Sequence, residues 1–70
     1  MFLKVNGEPV EVKTSASIND LLTQLEIPAI RVAIALNGSV IPHFDFLTTA
    51  LTDQDILEIV NAVGGGVDWN

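Results

Sequence analysis

Only one stretch of this chain, Ile18 to Glu26, repeats its apolar residues at helical spacing; the other apolar runs are short and mostly alternate. A lone helix covers one face of a sheet and leaves the other open. The chain is therefore bound to an α+β arrangement, with one helix packed on a sheet of four to five strands.

The order of elements follows from local signals. Leu3, Val5, Val10 and Val12 alternate with Lys4, Asn6, Glu11 and Lys13 around the turn Asn6-Gly7-Glu8-Pro9, which predicts a hairpin with one buried face. Ser17 is placed to cap the helix, with Asp20 three residues on as the acidic partner of a capping box. Ile18, Leu21, Leu22 and Leu25 form the apolar stripe, and Pro28 is expected to end the helix near Glu26. Val32 to Leu36 is the next strand. Asn37-Gly38-Ser39 turns it into a short strand, Val40-Ile41, stopped by Pro42. Residues 43–51 read as a loop with one helical turn, anchored by Phe44, Phe46, Leu47 and Leu51, and Thr52 to Asp55 as a turn. The last strand spans Ile56 to Val63. The expected core comprises Leu3, Val5, Val12, Leu21, Leu25, Ile34, Leu57 and Ile59.

Glu58 must face solvent, so Leu57 and Ile59 face the helix and Ile56, Val60 and Ala62 lie on the open side. With Phe2, Ala33 and Ala35 as neighbours there, they are expected to form an apolar partner-docking patch.

Seventy residues, 49% of them hydrophobic, suit one domain with a real core. No apolar run reaches the roughly 18 residues that span a bilayer. The first residues alternate as a strand does, not as a signal peptide. Cysteine is absent, which excludes disulfides, thiolate metal sites and thiol nucleophiles, and leaves the cytoplasm as the default compartment. The net charge is −6, and Lys4, Lys13 and Arg31 are the only lysines or arginines. Such a surface repels phosphate backbones and anionic lipid, arguing against nucleic acid and membrane, and favours a protein partner with a basic face.

Little here is equipped for catalysis. His43 is the only imidazole; in a loop without cysteines it supports a metal site only weakly, and no Gly-x-Ser-x-Gly turn sets a serine nucleophile beside it. Asp53, Asp55 and Glu58 are clustered, but Asp55 and Glu58 face opposite ways and read as a solvated rim. Gly64, Gly65 and Gly66 lack the Gly-Lys-Ser/Thr ending of a phosphate loop. They follow directly on the last strand and make a thin tail, able to enter a narrow channel in another protein. Trp69 either packs on the domain or marks this tail.

Taken together, Val5-Asn6-Gly7-Glu8, Ile18-Asn19-Asp20-Leu21-Leu22, Val32 to Gly38, Ile41-Pro42 and Asp53 to Ile59 resemble the ThiS family of sulfur carriers in thiamine biosynthesis, over residues 1–66. The resemblance implies a ubiquitin-like β-grasp domain over 1–63, with the first and last strands adjacent and parallel at the sheet centre, and a flexible tail over 64–70. It also implies that a ThiF-like enzyme uses ATP to adenylate a C-terminal glycine carboxylate. A sulfur donor system then forms a thiocarboxylate, which supplies thiazole synthase (ThiG). The chain itself would be a carrier with no bound cofactor. A chain without cysteine cannot hold sulfur on a side-chain thiol, which suits attachment at a terminal carbonyl. Residues 67–70 depart from the family pattern: either a peptidase removes them and leaves Gly66, or failing that Gly65, as the terminus, which is the favoured expectation, or the chain is a relative that has lost the activity. The alternatives are a MoaD-like or cysteine/methionine-pathway carrier, and a ubiquitin-like interaction module without C-terminal chemistry.

Overall fold

The hairpin at the N-terminus sets the geometry of everything after it. In the computed structural model, which describes residues 1–61, β1 (Phe2–Val5) and β2 (Glu8–Glu11) pair antiparallel across Asn6 and Gly7. Both turn residues have positive φ (50° and 85°), the twist that two-residue hairpins require. The second Asn-Gly pair, Asn37 and Gly38, repeats that geometry between β3 (Val32–Leu36) and β4 (Ser39–Ile41).

Between the hairpins lies α1 (Ile18–Gln24). Its capping box forms as expected: the Asp20 N–H donates to Ser17 Oγ (3.1 Å) and the Ser17 N–H to Asp20 Oδ2 (2.9 Å). The helix ends before Pro28 acts on it. Glu26 takes a left-handed conformation (φ 59°), its N–H bonds Thr23 O and the Ile27 N–H bonds Leu22 O (2.9 Å), which closes the last turn as a Schellman motif. Residues 29–31 form a short 3-10 turn into β3, and residues 43–45 a second one.

β5 (Ile56–Asn61) runs parallel to β1 and antiparallel to β3, giving the sheet order β2-β1-β5-β3-β4. The first and last strands are thus neighbours inside a five-stranded mixed sheet, the β-grasp arrangement. The core joins Leu3, Val5, Val12, Ile18, Leu21, Leu22, Val32, Ile34 and Leu57, with Leu25 and Ile59 partly buried against it. The loop after β4 corrects one expectation. Phe46 and Leu51 are buried anchors, whereas Phe44 (84% exposed) and Leu47 (73%) point outward. The 3-10 turn rotates successive side chains by about a third of a circle, so only Phe46 reaches the core. Ala62, Val63 and Gly64 to Asn70 lie outside the described residues, and with them the expected end of the last strand, the glycine arm and its extension.

Candidate docking face and the end of the last strand

β5 is held from both sides. On the β1 side, Lys4 N–H donates to Asp55 O and Asn6 N–H to Leu57 O, both at 2.9 Å. Beyond Val5 the backbone of β1 turns away, and the Asn6 side chain takes over the ladder. Its Oδ1 accepts from Ile59 N–H (2.8 Å) and its Nδ2 donates to Ile59 O (3.1 Å). On the other side, Asn37 Oδ1 accepts from Ile56 N–H (2.9 Å), while its Nδ2 donates to Asp55 Oδ1 (3.0 Å). The other Asp55 oxygen accepts from the Thr52 N–H (2.8 Å) and hydroxyl (3.2 Å). Partial burial pushes the Asp55 carboxyl up, but the Asn37 and Thr52 hydrogen bonds outweigh it and hold it below the usual value of 3.8.

The acids predicted as a rim do not converge. Asp53 accepts from Phe2 N–H (2.7 Å) and from Gln54 Nε2 (3.1 Å), and these bonds lower its pKa, the Phe2 one most. With Asp53 and Asp55 tying turns together and Glu58 on the outer face, no cluster of three candidate metal ligands forms among the described residues. His43 is more than a bare surface residue. Its Nε2 lies 2.6 Å from Val32 O, so that nitrogen carries the donated proton, and its ring meets Phe46 edge-on at 5.0 Å. It joins the loop after β4 to the start of β3, beside Asn61, the partner of Val32 in β5.

The face of the sheet turned away from α1 carries the predicted patch. The pairings Lys4↔Ile56, Ala33↔Val60, Ala35↔Glu58 and Ala35↔Val40 put Ile56, Val60, Ala33 and Ala35 on one side, with Phe2 two residues from Lys4 on the same side. Phe2 (51%), Ile56 (52%) and Val60 (58%) are exposed, and Ala33 and Ala35 half-buried. Ala62, the sixth predicted member, lies outside the described residues, as do Gly64, Gly65 and Gly66. The patch has a member the sequence reading passed over: Val40, 75% exposed, faces out beside Ala35. Alternation says that one of Val40 and Ile41 faces away from the core but not which; the pairing with Ala35 decides it. Two shallow hollows indent this face. One, of about 100 Å³, is lined by Ala33, Ile34, Ala35, Val40, Glu58 and Val60; the other, of about 200 Å³, lies between Phe2, Lys4, Pro9 and Ile56. Such a face can bury apolar area against a partner, and among its described residues no three potential metal ligands come together. No helix among the described residues is long and apolar enough to cross a membrane.

Comparison with known proteins gives the arrangement its context. The ThiS family model matches residues 3–66. The sulfur carrier protein ThiS of Bacillus subtilis is 34% identical over 65 residues, covering 91% of this chain and 98% of that protein. A thiazole synthase of Paramagnetospirillum magneticum is 35% identical over 68 residues, which are 97% of this chain and 21% of that enzyme. The crystal structure of a ThiS thiamine biosynthesis protein from Geobacter metallireducens superposes with a TM-score of 0.81 at 36% identity, covering 94% of this chain and all of that one.

Proposed function

The chain belongs to the ThiS family, the sulfur carriers of thiamine biosynthesis, and on that premise we propose that it carries sulfur as a thiocarboxylate on its terminal glycine. The observation that carries the proposal is where the family match stops, at Gly66, the last residue of the glycine run. A bare carboxylate is a poor acyl donor to sulfur, because its oxygen is a poor leaving group. Attack of the Gly66 carboxylate on the α-phosphate of ATP expels pyrophosphate and leaves an acyl-adenylate. Attack on the acyl carbon by sulfide (HS⁻) from the donor then expels AMP, releases a proton and leaves the thiocarboxylate. The chain supplies the reacting carboxylate, and among the described residues none is placed to catalyse either step, so the catalysis belongs to a ThiF-like adenylating enzyme and a sulfur donor system, with the chain as their protein substrate. ATP is held by the enzyme and not by the carrier.

Glycine suits this end because it adds no side chain around the reacting carbonyl. The apolar sheet face around Phe2, Ala33, Ala35, Ile56 and Val60 docks the partner, while the segment after β5 reaches the site of reaction. The consumer of the sulfur is a thiazole synthase; the likeness to a region of one such enzyme supports this.

Gly66 is followed by Val67, so its carboxylate exists only after hydrolysis of that peptide bond. A peptidase therefore acts before the adenylating enzyme. The test is pyrophosphate exchange with the cognate adenylating enzyme and ATP. A chain ending at Gly66 is expected to support exchange, one ending at Gly65 to do so only if the register is one residue shorter, and the chain through Asn70 not at all. Equal exchange by the chain through Asn70 would remove the trimming step, and no exchange by any of them would remove the carrier reading.

A further inference from the structure

The docking face has an acid at its middle, and the basic residue on the same face, Lys4, stands opposite Ile56 and makes no hydrogen bond to that acid. Glu58 stands on β5 between Ile56 and Val60, pairs across to Ala35, and lines the 100 Å³ hollow with Ala33 and Val40. None of the hydrogen bonds among the described residues uses its carboxylate, whereas Asp20, Asp53 and Asp55 are each committed to backbone or side-chain donors. Every other member of this hollow is apolar.

A partner that covers such a face dries it, and a carboxylate left there without a counter-charge costs enough to cancel much of the apolar gain. Resting on the docking reading above, we infer that the ThiF-like adenylating enzyme places a basic side chain, arginine or lysine, against Glu58, with its aliphatic stem in the hollow between Val40 and Val60. The two alanines make this geometry available. Their short side chains leave room beside the carboxylate, where a larger residue would fill the hollow. The stem of a lysine or arginine is apolar and its head charged, so one residue satisfies both halves of the site. An apolar or acidic residue at that point of a competing surface is rejected, which makes Glu58 a selector among partners as well as an anchor.

The experiment measures binding of the cognate ThiF-like enzyme to the chain ending at Gly66, by calorimetry, with circular dichroism confirming the fold of each variant. Glu58→Gln keeps the shape and removes the charge; it is expected to weaken binding by about thirtyfold or more, and Glu58→Lys further. A lysine- or arginine-to-glutamate change on the enzyme should restore binding to Glu58→Lys while weakening the wild-type chain. Val60→Asp tests the face itself and is expected to abolish binding. If both Glu58 variants bind as wild type while Val60→Asp does not, the basic contact is wrong and the docking face stands. If Val60→Asp binds as wild type too, the docking face falls, and this inference with it.

Discussion

At the scale of single residues, two positive-φ positions carry opposite lessons. Glu26 closes the Schellman motif from a left-handed conformation that strains an L-residue. Replacing it with glycine removes the strain at some entropic cost, so Glu26→Gly is expected to raise stability by about 0.5–1 kcal/mol in urea denaturation. Asn6 occupies the same region, but its carboxamide also makes both bonds to Ile59. Here glycine relieves φ and loses the bonds, while alanine loses the bonds and keeps the strain. Asn6→Gly should cost about 1 kcal/mol and Asn6→Ala about 2 kcal/mol or more. Hydrogen exchange at the Ile59 amide should quicken in both. If Asn6→Gly were as stable as the parent chain with Ile59 still protected, the side-chain rung would have no role.

At the scale of elements, three carboxylates hold segments in register. Asp20 caps α1, Asp53 fixes the turn before β5 to β1, and Asp55 links that turn to the β3–β4 hairpin. All three are lowered from 3.8: Asp20 chiefly by the Ser17 backbone N–H, Asp53 chiefly by that of Phe2, and Asp55 by Asn37 and Thr52 against the upward push of burial. A carboxyl whose folded pKa lies below its unfolded one binds fewer protons when folded. Its contribution is complete above the unfolded value and is lost as pH falls through the folded one. The urea midpoint should therefore hold from pH 7 to about pH 5 and drop as pH falls below about 4, and Asp55→Asn should flatten part of that drop. An acid limb unchanged by Asp55→Asn would show that the Asp55 carboxyl binds its proton equally well in the folded and unfolded chain.

For the molecule as a whole, one helix covering one sheet face makes the core small and the open face inevitable. Leu57 is fully buried on a central strand and Leu21 fully buried on α1, so truncating either to alanine should cost about 2–5 kcal/mol. In a domain of this size that is a large share of the total, read as the loss of a single cooperative transition. The net charge of −6 acts at longer range. Association with a basic partner should slow as salt is raised from about 0.05 to 0.5 M, whereas the dissociation rate changes less. A salt-independent association rate would mean that the acidic surface does not steer encounter.

Much of this molecule was legible locally, because the relevant forces act between residues a few positions apart. The two Asn-Gly turns, the Ser17–Asp20 box, the stripe of Ile18, Leu21 and Leu22, and the outward placing of Glu58 all follow from neighbours within one turn or one pleat. The parallel pairing of β1 with β5 did not follow from periodicity; it came with the family resemblance. Alternation says which face of a strand is buried but not which strand lies beside it. Three features belonged to the tertiary structure alone. Asn6 bonds Ile59, 53 positions away, because the β1 hairpin ends just where β5 continues. Phe46 is buried while Phe44 and Leu47 are exposed, because one 3-10 turn can aim only one of the three at a core already set by other elements. Val40 joins the open face because its pairing with Ala35 carries it there. Each depends on which distant segments share a surface, and that is settled only when the whole chain closes around one core.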